Sequence, residues 1–450
     1  MFRRRTKYII LTFSVIFVLT MSSNHMFAAE EKVSIVFYHR GYTTEVEWAE
    51  AVIERFEALN PHIMVESLSS GSGGGSEFSE KLTVLVASGN APDVFYGSTD
   101  KLGFILKGWT RDLMPFIERD ATEIALDDFF PGVMDSFVRS GAIHGIPLTV
   151  TPQLIFYNKD MFAEAGTSAP PCDWNDTQWT WDAFIDVSRK LTVTNADGTY
   201  SQLALSQATD MQLPDVSWMF GGDWFDEEAY RTGYPTHSTM LTTENVIAFE
   251  AIADLYAHYA AAGPRKGIDT YYGFGRGQIA MDWIGAYKLN NYVETQRAGG
   301  MSFAWGLAAT PLVDNRDNTR WTDPLFISST TENAEAAWEF VKFATGAEGQ
   351  RLWAEITGKI PARRSTLFAF VDQMAGLSGL PAGDIAQAVG GALENGRRSL
   401  EEAIADLPLE IFNNRAQWIA PMLNGRIPVR SGLAEMDRTL NAIIAERNWH

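Results

Sequence analysis

A single cysteine, Cys172, in 450 residues leaves no partner for an intrachain disulfide, so stability must come from packed cores. Basic residues are scarce: 36 Lys and Arg stand against 56 Asp and Glu, a formal charge of −20. Phosphate backbones need a basic surface, so a nucleic-acid partner is excluded and a solvated acidic surface is expected. No apolar run reaches the ~20 residues of a membrane span. The motifs HExxH and G-x-S-x-G are missing, as is any Cys-His nucleophile arrangement, with Cys172 in the Pro-rich PPCDW. The glycine-rich SSGSGGGS over 69–76 lacks the Lys-Ser/Thr of a phosphate loop and reads as a flexible connection. No internal repeat is visible.

What is present begins with a targeting pattern. Arg3, Arg4, Arg5 and Lys7 precede an uncharged apolar run over 8–21, then polar 22–24 and small Ala28 and Ala29. This order predicts an export signal over 1–29, cleaved after Ala28 or Ala29. An uncleaved anchor is the competing reading, and the Arg run hints at twin-Arg export. Removing 1–29 takes away four basic residues and no acidic one. No cysteine follows the signal for lipid attachment, so a free periplasmic protein is expected.

The length predicts two domains. Residues 32–38 form a β-branched and aromatic strand, followed by a helix from about Glu45. Thr44 and Glu47 make a capping box, and Val46, Ala49, Ile53 and Phe56 make an apolar stripe. Asn60-Pro61 stops that helix before a strand over 63–67, a β-α-β unit that builds a parallel sheet. A second helix over 78–88 (Phe78, Leu82, Leu85 and Val86 inward) and a strand over 91–97 follow. Further helices are predicted over 181–191, 246–259, 334–345, 349–358 and 433–446. Further strands are predicted over 142–157, 278–284, 303–308 and 325–328. The fold class is α/β, which places ligands beyond the carboxyl ends of strands.

Four segments in order resemble family 1 extracellular solute-binding proteins of ABC importers, the maltose and multiple-sugar binding type. They are FEALNP at 56–61 with the strand after it, LVASGNAPDVFY at 85–96, and GIPLTVTPQLIFYNKDMF at 145–162. The fourth joins FGRGQIAM at 274–281 to AEAAWEFVKFAT and GKIPARRS within 334–365. The resemblance implies a type II periplasmic-binding-protein fold with two discontinuous lobes that hinge around a buried ligand. Lobe 1 is expected over 30–148 and 309–363, and lobe 2 over 149–308 and 364–450. It also implies a carbohydrate ligand, membrane permease subunits as partners, a monomer, no cofactor or metal, and no catalysis.

A sugar offers a C–H ring face and a hydroxyl edge, so its site needs aromatic plates beside planar donors and acceptors. Tyr38 and Arg40 follow the first strand, where a buried Tyr and an exposed Arg are the plainer alternatives. Ser98 and Asp100 follow the third strand, Asp100 standing equally well as a helix cap. WMFGGDWF at 218–225 offers Trp218 as a plate, Gly221 for close backbone approach and Asp223 as an acceptor, with Trp224 in the core. MDWIGAY at 281–287 offers Trp283, Gly285 and Tyr287. Trp321 and Asp323 stand where relatives have a Gly-rich stretch, so the ligand's identity cannot be copied from them. Arg363 is a further cleft candidate, with a surface ion pair as its alternative.

Two other functions remain on the sequence. A carbohydrate-active hydrolase needs two carboxylates, and with 56 acids pairs are inevitable. A ferric-ion binder would use adjacent tyrosines, and Tyr271-Tyr272 is such a pair. A polyol is a third possible ligand class.

Overall fold

A computed structural model describes residues 32–447 apart from 72–74, 99, 207–211, 261–267, 270–271, 406–410, 412–413 and 415. The expected signal over 1–29, Thr99 and Tyr271 lie outside the described residues. Among the described residues no helix is long and apolar enough to cross a membrane.

The predicted β-α-β unit is there: β1 (Val33–His39), α1 (Thr43–Leu59) and β2 (Ile63–Ser69), with β1 and β2 paired in parallel from Val33↔Ile63 to His39↔Ser69. The capping box goes unused, since the cap residue is Tyr42 and its side chain makes no cap bond. The stripe is also rotated, and Trp48, Ala49, Val52 and Phe56 face inward with Glu45. Burying Trp48 edge-on against Trp353, 5.0 Å between ring centroids, sets that phase better than the smaller Val46 and Ile53 would. Helix α2 (Gly75–Ala87) leads to β3 (Val94–Tyr96), shorter than predicted, and then to α3 (Lys101–Leu106).

Twelve strands are described. Beyond β3 they are β4 (Val138–Arg139), β5 (Ala142–Ile143), β6 (Gly145–Asn158), β7 (Val193–Thr194), β8 (Tyr200–Leu205), β9 (Ile279–Gly285), β10 (Trp305–Ala308), β11 (Asn318–Ile327) and β12 (Gly396–Arg398). One sheet runs β2-β1-β3-β11-β6-β9-β8-β7, with β10 also on β6 and β12 on β11. The 14-residue β6 joins the halves. Its first part pairs with β11, from Gly145↔Phe326 to Pro152↔Arg320, and its second part with β9 and β10.

The predicted helix Trp181–Leu191 matches residue for residue, with Thr180 accepting from the Ala183 N–H at 3.3 Å. Helices Thr243–His258, Ala334–Ala344, Ala347–Thr357 and Val429–Arg447 are also in place. Several helices escaped prediction, the longest being Arg364–Ser378 and Ala382–Glu394. The largest difference is β11, read from sequence as 325–328 but beginning at Asn318. Two cores result. One gathers β1, α1 and the helices Ala334–Ala344, Arg364–Ser378 and Ala382–Glu394; the other gathers Phe184, Trp218, Phe249, Trp283, Met422 and Leu440.

Candidate functional site

β6 and β11 run side by side at the middle of the sheet, and both change partners along their other edges. On one edge of β6, Val150 donates to Ile360 O (3.1 Å) and Thr149 Oγ1 donates to the same oxygen (2.7 Å). From Pro152 onward that edge belongs to Ala286 and β9. Thr151 sits at the switch, opposite Trp321 in register. On the outer edge of β11, β12 pairs with 318–320 and β3 with 325–327, leaving Thr322 between them.

Side chains alternate along a strand, so Thr319, Trp321 and Asp323 share one face of β11, and the paired Thr151 and Thr149 share it on β6. Trp321, Asp323 and Thr151 are partly exposed, within strands otherwise buried. Gly285 brings β9 to the same place: a Cβ there would stand 2.7 Å from the Tyr287 ring and 3.3 Å from Thr151 Cγ2. The Tyr287 ring therefore lies over Gly285, against Thr151, and is 37% exposed. An aromatic plate thus stands on each side of Thr151.

At one end of this face a network of charges gathers. Arg40 donates to both oxygens of Glu45 (2.8 and 2.6 Å) and to the Tyr96 hydroxyl (2.8 Å), and lies 3.7 Å from Asp323. Tyr96 in turn donates to Asp323 at 2.7 Å. Lys101 donates to Asp323 (2.8 Å), Glu402 (2.6 Å) and Thr322 O (2.9 Å). Burial acts to raise the Asp323 carboxyl, but Lys101 and Arg40 outweigh it and hold that group below the usual carboxylate range. Glu45 is held low in the same way, burial being outweighed by Arg40 and Lys359.

At the other end lies the helix Gln212–Met219. Its Asp215 is fully buried and accepts from Gln153 Nε2 (2.6 Å), the Thr319 N–H (2.8 Å) and the Thr319 hydroxyl, bonding both long strands at once. Burial pushes its carboxyl well up, more than those hydrogen bonds pull it down. Trp218, on the same helix, is 1% exposed and carries the Arg397 guanidinium over its ring at 4.4 Å. Arg397 donates to Asp223 (2.8 Å) and to Asp317 (3.4 Å).

The structure therefore brings Arg40, Asp323, Trp321, Gly285 and Tyr287 to one stretch, with Asp223 at its far end through Arg397. Others stand elsewhere. Tyr38 is a core ring stacked on Phe78 (4.6 Å), and burial pushes its phenol up to about 12. Trp283 is 2% exposed and packs edge-on to Phe184 at 6.2 Å. Arg363 is buried as a clip, donating to Thr345 O (2.7 Å) and Ile124 O (2.8 Å) over the Phe129 ring. Ser98 is buried, and Asp100 neither caps α3 nor joins the network but pairs with Lys107 at 2.8 Å. Gly221, at φ +79, ends its helix by donating to Trp218 O (3.0 Å), so the chain's turn accounts for it.

Sequence reasoning missed Lys101, Glu45, Tyr96, Glu402, Asp215 and Arg397. Only Arg397 had an available signal, as a basic residue beside the Gly396 that follows a helical pattern.

Residues 41–351 match the family described as bacterial extracellular solute-binding protein. A curated relative, the maltotriose-binding protein of Pyrococcus abyssi, is 22% identical over 74% of this chain and 67% of its own length. The sugar-binding protein MalE from the phytopathogen Xanthomonas citri has a structure similar to this one, with a TM-score of 0.75 at 20% identity over 93% of this chain and 98% of that one. A substrate-binding protein of Listeria monocytogenes in complex with cycloalternan gives a TM-score of 0.72 at 22% identity, over 92% of this chain and 99% of its own. Those likenesses fix the architecture as the two-lobed periplasmic-binding-protein fold.

Proposed function

This chain belongs to the bacterial extracellular solute-binding protein family, and from that premise we propose that it captures a carbohydrate between its lobes and delivers it to the permease subunits of an ABC importer. The observation that carries the reading is the pair of plates, Trp321 and Tyr287, standing on either side of Thr151 with Asp323 two residues along β11. Ring faces stack on such plates while the carboxylate and guanidinium take hydroxyls.

Thr151, where β6 exchanges Ile360 for β9, serves as the hinge position in this reading, close to the lobe boundary expected at 148. Closure of the lobes on the sugar follows as an equilibrium shifted by the ligand's better contacts in the closed form. In this reading the chain is an exported monomer, cleaved near Ala29, and performs no catalysis. The relatives named for maltotriose and arabinooligosaccharide binding support a sugar, and a relative named for mannitol keeps polyols in the test.

The experiment is a thermal-shift screen of the mature protein against neutral mono- and oligosaccharides, polyols and ferric citrate. A ligand at 100 times its Kd adds about 2.7 kcal/mol of stability. Stabilisation by one saccharide class, with no release of reducing ends, supports the proposal; stabilisation by ferric citrate alone overturns it.

A further inference from the structure

Among the charged side chains around the site, Arg397 combines an aromatic seat, two carboxylate partners and a partly exposed guanidinium. β12 pairs with β11 in parallel, Thr319 beside Arg397, so Arg397 lies on the same sheet face as Trp321 and Asp323. Its guanidinium rests flat on Trp218, which at 1% exposure has no face left for a ligand. Trp218 is thus a platform and Arg397 its outward surface, about a third exposed. Two carboxylates flank the fork, Asp223 Oδ2 at 2.8 Å and Asp317 Oδ2 at 3.4 Å, both partly exposed. Asp223 is fixed from behind, its Oδ1 accepting from the Trp224 N–H (2.7 Å) and the Tyr230 hydroxyl (2.5 Å).

We propose that Arg397, with Asp223 and Asp317, reads two neighbouring hydroxyls of the bound sugar; this deepens the carbohydrate reading above and rests on it. A guanidinium carries five N–H donors in a rigid plane, and both terminal nitrogens of Arg397 are turned to the carboxylates. Each sugar hydroxyl both accepts and donates. One hydroxyl accepts from the fork and donates to Asp223, and its neighbour does the same with Asp317, so a vicinal diol fits and a lone hydroxyl leaves one acid unmatched. Such a site rejects an analogue that lacks one hydroxyl far more strongly than an apolar pocket rejects a missing methylene.

The test is calorimetric titration of the whole mature chain with maltotriose, an arabinotriose and mannitol, then with monodeoxy analogues of whichever binds. R397K keeps the charge but loses the planar fork, and is expected to weaken binding about 10- to 100-fold. The decisive readout is the ratio of parent to deoxy affinity at the hydroxyl pair, large in the wild type and near one in R397K. A general loss of structure would lower both affinities and leave that ratio unchanged. If the wild type binds and R397K retains both affinity and ratio, the Arg397 assignment falls while the carbohydrate reading stands. If the wild type binds none of the three sugars nor any other saccharide of the screen, the carbohydrate reading falls and this assignment with it.

Discussion

Lys101 and Glu402 meet at 2.6 Å in the gap that β3 and β12 leave along the outer edge of β11. A central strand must satisfy its peptide groups, and here two side chains take the place of a neighbouring strand. Glu402 accepts the Thr322 N–H at 2.8 Å, and Lys101 donates to Thr322 O at 2.9 Å. The third bond of the ammonium goes to Asp323 at 2.8 Å, and Ser136 donates to the second oxygen of Glu402, also at 2.8 Å. One ion pair therefore closes the sheet edge and aims Asp323 at the exposed stretch beside Trp321.

Lys101→Met removes the cation and leaves two carboxylates and a carbonyl without it. Breaking a buried pair in this way costs about 3–5 kcal/mol, because the surviving charge stays out of water. Urea unfolding should show the loss directly. Glu402→Gln keeps an acceptor for Thr322 and a shape close to the original, so its loss should be smaller. Equal midpoints for wild type and Lys101→Met would mean that water replaces the ammonium freely.

Trp321→Ala and Tyr287→Ala should separate from Trp283→Ala by what they damage. The first two remove partly exposed plates, and each is expected to weaken sugar binding by about 2 kcal/mol or more, with little change in unfolding. Trp283 is packed in the core, so its truncation should cost about 3–5 kcal/mol of stability. Paired titration and unfolding curves distinguish the two outcomes. A binding loss confined to Trp283→Ala would move the site along β9, away from Tyr287 and toward the core that holds Trp283.

How far the sequence reaches is clear from these residues. The helix Trp181–Leu191 was legible because its cap and its apolar spacing are local signals. β11 was not, because Arg320, Asp323 and Pro324 read as loop chemistry; the strand tolerates them because Arg320 is spent on the Pro131 and Gly132 carbonyls and Asp323 faces the exposed stretch. Trp321 and Asp323 were named as candidates from their types and from their place in a segment where relatives of the resembled family have a Gly-rich stretch. Their neighbours Lys101 and Glu402 come from 301 residues apart, and no local pattern records which distant charges will meet. Trp218 and Arg363 show the converse, residue types suited to a cleft that the fold buries, one to seat an arginine and the other to clip carbonyls.

Arg363→Met tests that clip. The variant leaves the Ile124 carbonyl without its donor, worth about 1–3 kcal/mol when buried and unsatisfied, while the Thr345 carbonyl loses one of two donors and keeps Gln350 Nε2 at 3.0 Å. Chemical denaturation should register the loss, while the sugar affinity of the folded fraction stays at the wild-type value. A drop in affinity with unchanged stability would return Arg363 to the site.

Acid and base should act on different carboxyls. Glu45 and Asp323 have native pKa values held below their unfolded values, so they stabilise the fold above about pH 4, and that stabilisation is lost as pH falls through the native values. Asp215 has the opposite sign. Its native pKa is raised, so the folded form keeps a proton that the unfolded chain has released, and its contribution is present below about pH 4 and declines as pH rises toward the native value. Urea midpoints measured from about pH 3 to about pH 8 should therefore show a maximum, with an acid limb from Glu45 and Asp323 and a limb on the other side from Asp215. Asp215→Asn cannot ionise, so it should flatten the second limb and leave the first intact. Since Asp215 joins Gln153 of β6 to Thr319 of β11, the same titration acts on the two strands that carry the proposed hinge position. A variant whose midpoints run parallel to the wild type at every pH would show that Asp215 keeps one protonation state throughout.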